Sequence, residues 1–148
     1  MAYKLSVEVF GDGENPDDPS HWGFTINKPP NPYGDLLHVR TLDAKGMFFQ
    51  FEPRLRTRLN TQQALGLCVI STLTDQQRQR ATQIVANEEA PKDGKRNCQD
   101  WVLSTLIALE IEELVPPGTS EFWKEMIGKP ARHVRGAVGT NWIALRKF

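Results

Sequence analysis

The spacing of apolar residues changes once along this chain, near residue 73, and that change restricts the fold to one broad class. Ahead of it, Tyr3, Leu5, Val7 and Val9 alternate with Lys4, Ser6 and Glu8. A period of two places successive side chains on opposite faces of a half-buried strand. His21–Ile26, Asp35–Thr41 and Met47–Phe51 read as further strands, and Leu55–Leu59 and Leu65–Ser71 as two more of uncertain register. Between them lie the turn-rich Gly11–Ser20, the three prolines within Asn27–Gly34, and a turn at Ala44–Gly46.

Beyond residue 73 the period is helical. Thr74 and Gln77 have the spacing of a capping box, which predicts a helix over Asp75–Asn87 with Ala81, Ile84 and Val85 inward. Pro91 and Gly94 interrupt it. A second helix is expected from about Asn97 to Glu112. In it Cys98, Trp101, Val102, Thr105, Leu106 and Leu109 fall at i, i+3, i+4, i+7, i+8 and i+11, one continuous face. Pro116-Pro117-Gly118 ends that helix, and Ser120 is placed to cap a short one carrying Phe122, Trp123, Met126 and Ile127. Strands first and helices after predict an α+β fold, an antiparallel β-sheet packed against helices. The expected organisation is a single domain over 1–148. Strands occupy about 3–72, helices about 74–128 and a basic tail 129–148, in which Asn141–Leu145 forms a last strand or a docked segment.

Composition narrows the function classes. The 148 residues are 39% hydrophobic and 24% charged, enough for a core without a disulfide scaffold, and two cysteines are too few to build one. Lys and Arg number 18, as do Asp and Glu, so a general nucleic-acid binder is not expected. The longest apolar stretches, Leu65–Ile70 and Val102–Leu109, are far short of the roughly 20 residues of a membrane span. The N-terminus carries Lys4 and Glu8 within its first ten residues and does not read as a signal peptide. The expected location is cytoplasmic, with both thiols free.

Cys98 carries the most chemical information. It stands in the first turn of the strongest helix, where unpaired N–H groups and the dipole favour negative charge by about 0.3–1 kcal/mol. A shift of two units below the ordinary thiol pKa requires about 2.7 kcal/mol, so a second group is needed. Three histidines are candidates. His21 opens a strand, His38 lies mid-strand in the next, and His133 sits between Arg132 and Arg135 as a solvated surface group. A helix-borne cysteine facing a strand-borne histidine is the arrangement of thiol hydrolases and acyltransferases. Cys68, within Leu65–Ile70, reads as core packing, and the four tryptophans as core anchors.

Taken in order, His21-Trp22-Gly23, then Leu37-His38-Val39, then Asn97-Cys98-Gln99-Asp100-Trp101-Val102 resembles the permuted papain-like (NlpC/P60-like) group. The nearest pattern is that of its lecithin:retinol acyltransferase-like and H-rev107-like members, and short fungal proteins with an Asn-Cys-Gln-Asp-Trp motif are similar. The resemblance implies a Cys-His-His triad: Cys98 as nucleophile, His21 as general base, His38 orienting His21, and N–H groups of the Cys98 turn in an oxyanion hole. It implies a thioester intermediate and a small-molecule, lipid or peptide acyl substrate, with no cofactor and no metal. Gln99-Asp100-Trp101 replaces the Glu-His-Phe of the lipid-acting members, and their C-terminal membrane helix is missing.

Two further readings stand beside the enzyme. One is a non-catalytic protein-interaction domain that keeps the fold; a permuted papain-like isopeptidase or amidase is a variant of the enzyme itself. The other makes His21, His38 and Cys98 three ligands of a metal, although the paired spacing usual for zinc is missing. No phosphate-cradling or dinucleotide glycine motif occurs, and Asp12, Glu14, Asp17 and Asp18 lack the spacing of a calcium loop.

Overall fold

The computed structural model describes residues 2–148. Five strands come first: β1 (Tyr3–Phe10), β2 (His21–Asn27), β3 (Tyr33–Thr41), β4 (Phe49–Arg58) and β5 (Ala64–Leu73). Four helices follow, α1 (Asp75–Asn87), α2 (Cys98–Ile111), α3 (Thr119–Met126) and α4 (Ala131–Val138), then a short strand, β6 (Trp142–Ala144). The strands form one antiparallel sheet in the order β4-β3-β2-β1-β5-β6. The fold is α+β, as the change of period predicts.

One face of the sheet carries Leu5, Val7, Val9, Trp22, Phe24, Leu37 and Val39. These join Val85, Trp101, Val102, Leu106, Leu109 and Trp123 of the helices in one core cluster. Aromatic rings meet edge to face across this layer, Trp22 on Trp123 at 5.1 Å and Phe24 on Trp101 at 5.8 Å between centroids. Trp142 packs on Gly66, where an added Cβ would lie 2.2 Å from the indole; the absent side chain is what lets the edge strand β6 close on β5.

Three expectations need correction. The two segments Met47–Phe51 and Leu55–Leu59 are one strand, β4, running through Pro53. It lies at the sheet edge, where a missing N–H costs no ladder bond. The segment 129–148 is not a tail. It holds α4, which buries Ala131 and Val134 one turn apart, and β6 beyond it. Gly136 and Gly139 within this basic stretch hide the helical pattern. Ser120 does not cap α3: Gly118 stands at the cap with φ +90, and the Ser120 N–H goes instead to Glu110 Oε1 at 3.0 Å.

The second face of the sheet also differs from expectation. Ser6 and Glu8, placed toward solvent by the alternation, are buried, as is Thr25. Residues around 28–32 and 57–63 line cavities on this face, and the two segments are joined by a hydrogen bond from Leu59 N–H to Pro32 C=O at 3.1 Å. β1 is therefore covered on both sides.

Candidate active site

The polar face of the sheet aligns three titratable side chains from successive strands. His21 is the first residue of β2, His38 lies in the middle of β3, and Glu52 is the direct cross-strand partner of His38 on β4. His21 Nε2 is 2.9 Å from His38 Nδ1, and His38 Nε2 is 3.0 Å from Glu52 Oε1. Arg40 and Arg54 each place Nε 2.8 Å from a Glu52 oxygen. Gly23, two residues after His21, makes the approach possible, because a Cβ there would stand 2.9 Å from His38 Cβ and 3.2 Å from Leu36 Cδ1. The glycine of His-Trp-Gly thus has a packing reason.

These bonds determine the tautomers. Burial holds the Glu52 carboxyl up, but hydrogen bonds from Arg54 and His38, with the Arg54 and Arg40 charges, outweigh it and leave its pKa lowered. An ionised carboxylate accepts, so His38 Nε2 carries the proton and donates. For a neutral ring, Nδ1 of His38 is then the acceptor and Nε2 of His21 the donor. The remaining His21 nitrogen, Nδ1, is left with a free lone pair, the requirement for a general base. Both rings are held neutral. Burial pushes His21 down to about 4, with the His38 and Arg54 charges adding to it. Burial also lowers His38, opposed by the hydrogen bond and charge of Glu52 and assisted by Arg54 and Arg40.

Cys98 is the first residue of α2. Asn97 caps the helix, its side chain accepting from Gln99 N–H at 2.9 Å, while Asp100 Oδ2 accepts from Asn97 N–H at 2.9 Å. Gln99 is buried and ties this turn to the rest of the fold. Its Nε2 donates to Ser20 C=O at 2.9 Å, and its Oε1 accepts from Gly128 N–H at 2.8 Å. Cys98 is therefore fixed against the start of β2. The sulfur sits by the N–H groups of Trp22, Gln99 and Cys98 itself, which favour the thiolate, yet burial dominates and the pKa is pushed up to about 11. A thiol ionised at rest, as expected from a helix terminus aided by a histidine, is not what this environment produces. Cys98 is 7% exposed.

The structure brings His21 and His38 into contact. Cys98 shares no hydrogen bond with either among the described residues; its link to His21 is the N–H of the adjacent Trp22. His21 and His38 line a cavity of about 430 Å³ with Glu8 and Arg54, and Cys98 is not part of its wall. Cys68 is buried at 1% exposure with its thiol pKa raised by burial, and His133 is exposed on α4. Among the described residues no group of three His, Cys, Asp or Glu side chains is arranged to hold a metal ion, and no helix is long and apolar enough to cross a membrane.

Sequence reasoning missed Glu52, Arg40, Arg54 and the bridging role of Gln99. The first was accessible. A hairpin turning on Lys45 sets residues equidistant from it opposite one another, and His38 and Glu52 satisfy that condition. No curated protein and no solved structure matches this chain. A family model does match residues 8–116, a stretch that contains His21, His38, Glu52 and Cys98. The chain belongs to that family, DUF6540, a family of unknown function.

Proposed function

We propose that this protein is a permuted papain-like, cysteine-dependent acyltransferase or hydrolase. The observation that carries the reading is the continuous series His21–His38–Glu52, which leaves one imidazole nitrogen unprotonated at the strand end that abuts the Cys98 turn. His21 Nδ1 takes the thiol proton as Cys98 Sγ attacks the carbonyl carbon of an ester, thioester or amide. The resulting oxyanion is stabilised by N–H groups beside the sulfur, those of Trp22 and Cys98. Collapse breaks the bond to the leaving alcohol, thiol or amine, which departs with the proton from His21. A thioester remains on Cys98. Water or an acceptor then attacks it, His21 removes the attacking proton, and the regenerated thiol recovers it. Because both groups are neutral at rest, proton transfer accompanies attack. The His38–Glu52 pair stabilises the imidazolium formed on the way. Free thiols of this kind suit a reducing compartment such as the cytoplasm.

The 7% exposure of Cys98 and its separate position from the cavity favour a second reading, a non-catalytic interaction domain. Exposure to p-nitrophenyl acetate separates the two. The enzyme reading expects a burst of nitrophenolate of about one equivalent, with the acetyl group on Cys98 and none in Cys98→Ser. A chain that releases nitrophenolate no faster than Cys98→Ser supports the interaction domain. Peptide p-nitroanilides distinguish an amidase or isopeptidase from an ester-specific enzyme.

A further inference from the structure

Three buried side chains on the polar face of the sheet lack the partners their chemistry requires. Ser6 and Glu8 lie two residues apart on β1 and so point the same way; Thr25 is the direct partner of Ser6 on β2. Their exposures are 1%, 0% and 0%. Ser6 Oγ, Thr25 Oγ1 and both carboxyl oxygens of Glu8 have no hydrogen-bond partner. Buried polar groups are nearly always paired, and a cluster of orphans this close together calls for a missing partner. Apolar residues at these positions would serve the fold better, so the cluster is not explained by packing.

The chemistry of the orphans defines that partner. All four unpaired atoms are oxygens that can accept, two of them hydroxyls that can also donate, so one group carrying several donors can satisfy them together. Glu8 adds the capacity for negative charge. An ammonium head brings three N–H donors and a positive charge, matching a carboxylate and two hydroxyls. Access is built in for Glu8, which lines the cavity of about 430 Å³ that holds His21 and His38, whereas Ser6 lines a separate cavity of about 220 Å³ beside residues 29–32. We infer that Glu8, with the buried hydroxyls of Ser6 and Thr25 next to it on the sheet, is the recognition site for the ammonium head of a small primary amine, which reaches Glu8 through the cavity of about 430 Å³. The rest of the molecule would then lie beside His21. This inference concerns binding and stands whether or not Cys98 is a nucleophile.

The titratable and charged groups that line the cavity with Glu8 are the neutral rings of His21 and His38, with Arg54, Arg58, Asp12 and Asp18. Burial holds Glu8 protonated, with a pKa of about 8. An arriving ammonium therefore displaces a proton from it. Titration calorimetry of the wild-type protein at pH 7, in two buffers of different ionisation heat, reads that proton directly. The probes are ethylammonium and n-butylammonium chloride, with tetramethylammonium chloride and KCl as comparisons. Saturable binding of a primary ammonium is expected, with close to one proton released. Glu8→Gln weakens it by about tenfold or more, and the isosteric Thr25→Val by about threefold. Tetramethylammonium, which has no N–H, and K⁺ do not bind. Cys98→Ser binds as the wild type does, so a failure of acyl chemistry leaves this result unaffected. The inference is overturned by no saturable binding of either primary ammonium, by equal binding in Glu8→Gln, or by K⁺ binding as well as the amines.

Discussion

Replacing His21 by Ala lowers the rate of acetylation of Cys98 by p-nitrophenyl acetate by about a thousandfold, the middle of the range a positioned general base contributes. The size of the effect follows from the resting state. With the thiol pKa at about 11, spontaneous ionisation near neutral pH is rare, and without a base only that minor fraction reacts. His21 is suited to the role because burial keeps it neutral down to about pH 4 and the bond from its Nε2 to His38 leaves Nδ1 free. Glu52→Gln tests the relay without emptying the site. A Gln side chain can donate where the carboxylate accepts. His38 Nε2 then becomes the acceptor, its Nδ1 becomes the donor, and His21 is driven to the tautomer with its proton on Nδ1. A loss of about 10- to 100-fold is expected, smaller than in His21→Ala because the rings can still flip. Cys68→Ala, remote from this relay, acylates at the wild-type rate. A His21→Ala protein that acetylates Cys98 within a factor of about two of wild type removes the general base from the account.

Glu8→Gln makes the protein more stable relative to wild type as pH rises, by about 2 kcal/mol between pH 6.5 and 8.5. The sign follows from the shift. Burial raises the folded-state pKa of Glu8 to about 8, against an ordinary carboxyl value of 4.5. Between those values the folded state holds a proton that the unfolded chain has lost, so wild-type stability declines with rising pH and levels off above about pH 8. The histidines act in the opposite direction. His21 is lowered to about 4, so its contribution is full above the ordinary histidine value of 6.5 and is lost as pH falls toward 4. His38, also lowered, behaves alike. Both histidine contributions are common to wild type and Glu8→Gln and cancel in the comparison. Urea melts of the two proteins at pH 6.5, 7.5 and 8.5 measure the difference. Parallel pH profiles contradict a buried, unpartnered carboxyl at residue 8.

The parts of this fold that can be read from the chain are those governed by local rules. Alternation in Tyr3–Val9 identifies β1, the Thr74–Gln77 pair starts α1, and the i, i+3, i+4 spacing from Cys98 to Leu109 gives the inner face of α2. What escapes is set by neighbours distant in sequence. Pro53 reads as a break, and only its place at the sheet edge lets β4 continue through it. Glu8 alternates like a solvent-facing residue, and its burial depends on segments distant in sequence, around 57–63, that wall the cavity beside it. At the candidate site the meeting of His21 and His38 was legible from two strands that pair, whereas Glu52 was missed although the turn beyond them sets it opposite His38. The burial of Cys98 was not legible. The same helical spacing describes a nucleophile at a helix mouth and a small residue in a core, and the choice depends on how β2 packs against α2.

The central claim is that the Cys98 sulfur depends on the His21 imidazole for its reactivity, and the pH dependence of iodoacetamide labelling at Cys98 tests it most directly. In wild type the account predicts a rate that climbs as His21 loses its proton near pH 4 and is then nearly flat from pH 5 to 8, whereas in His21→Ala it rises about tenfold per pH unit across that range, following the thiolate of an unassisted thiol. A wild-type rate that climbs with the same steep slope as His21→Ala would contradict it.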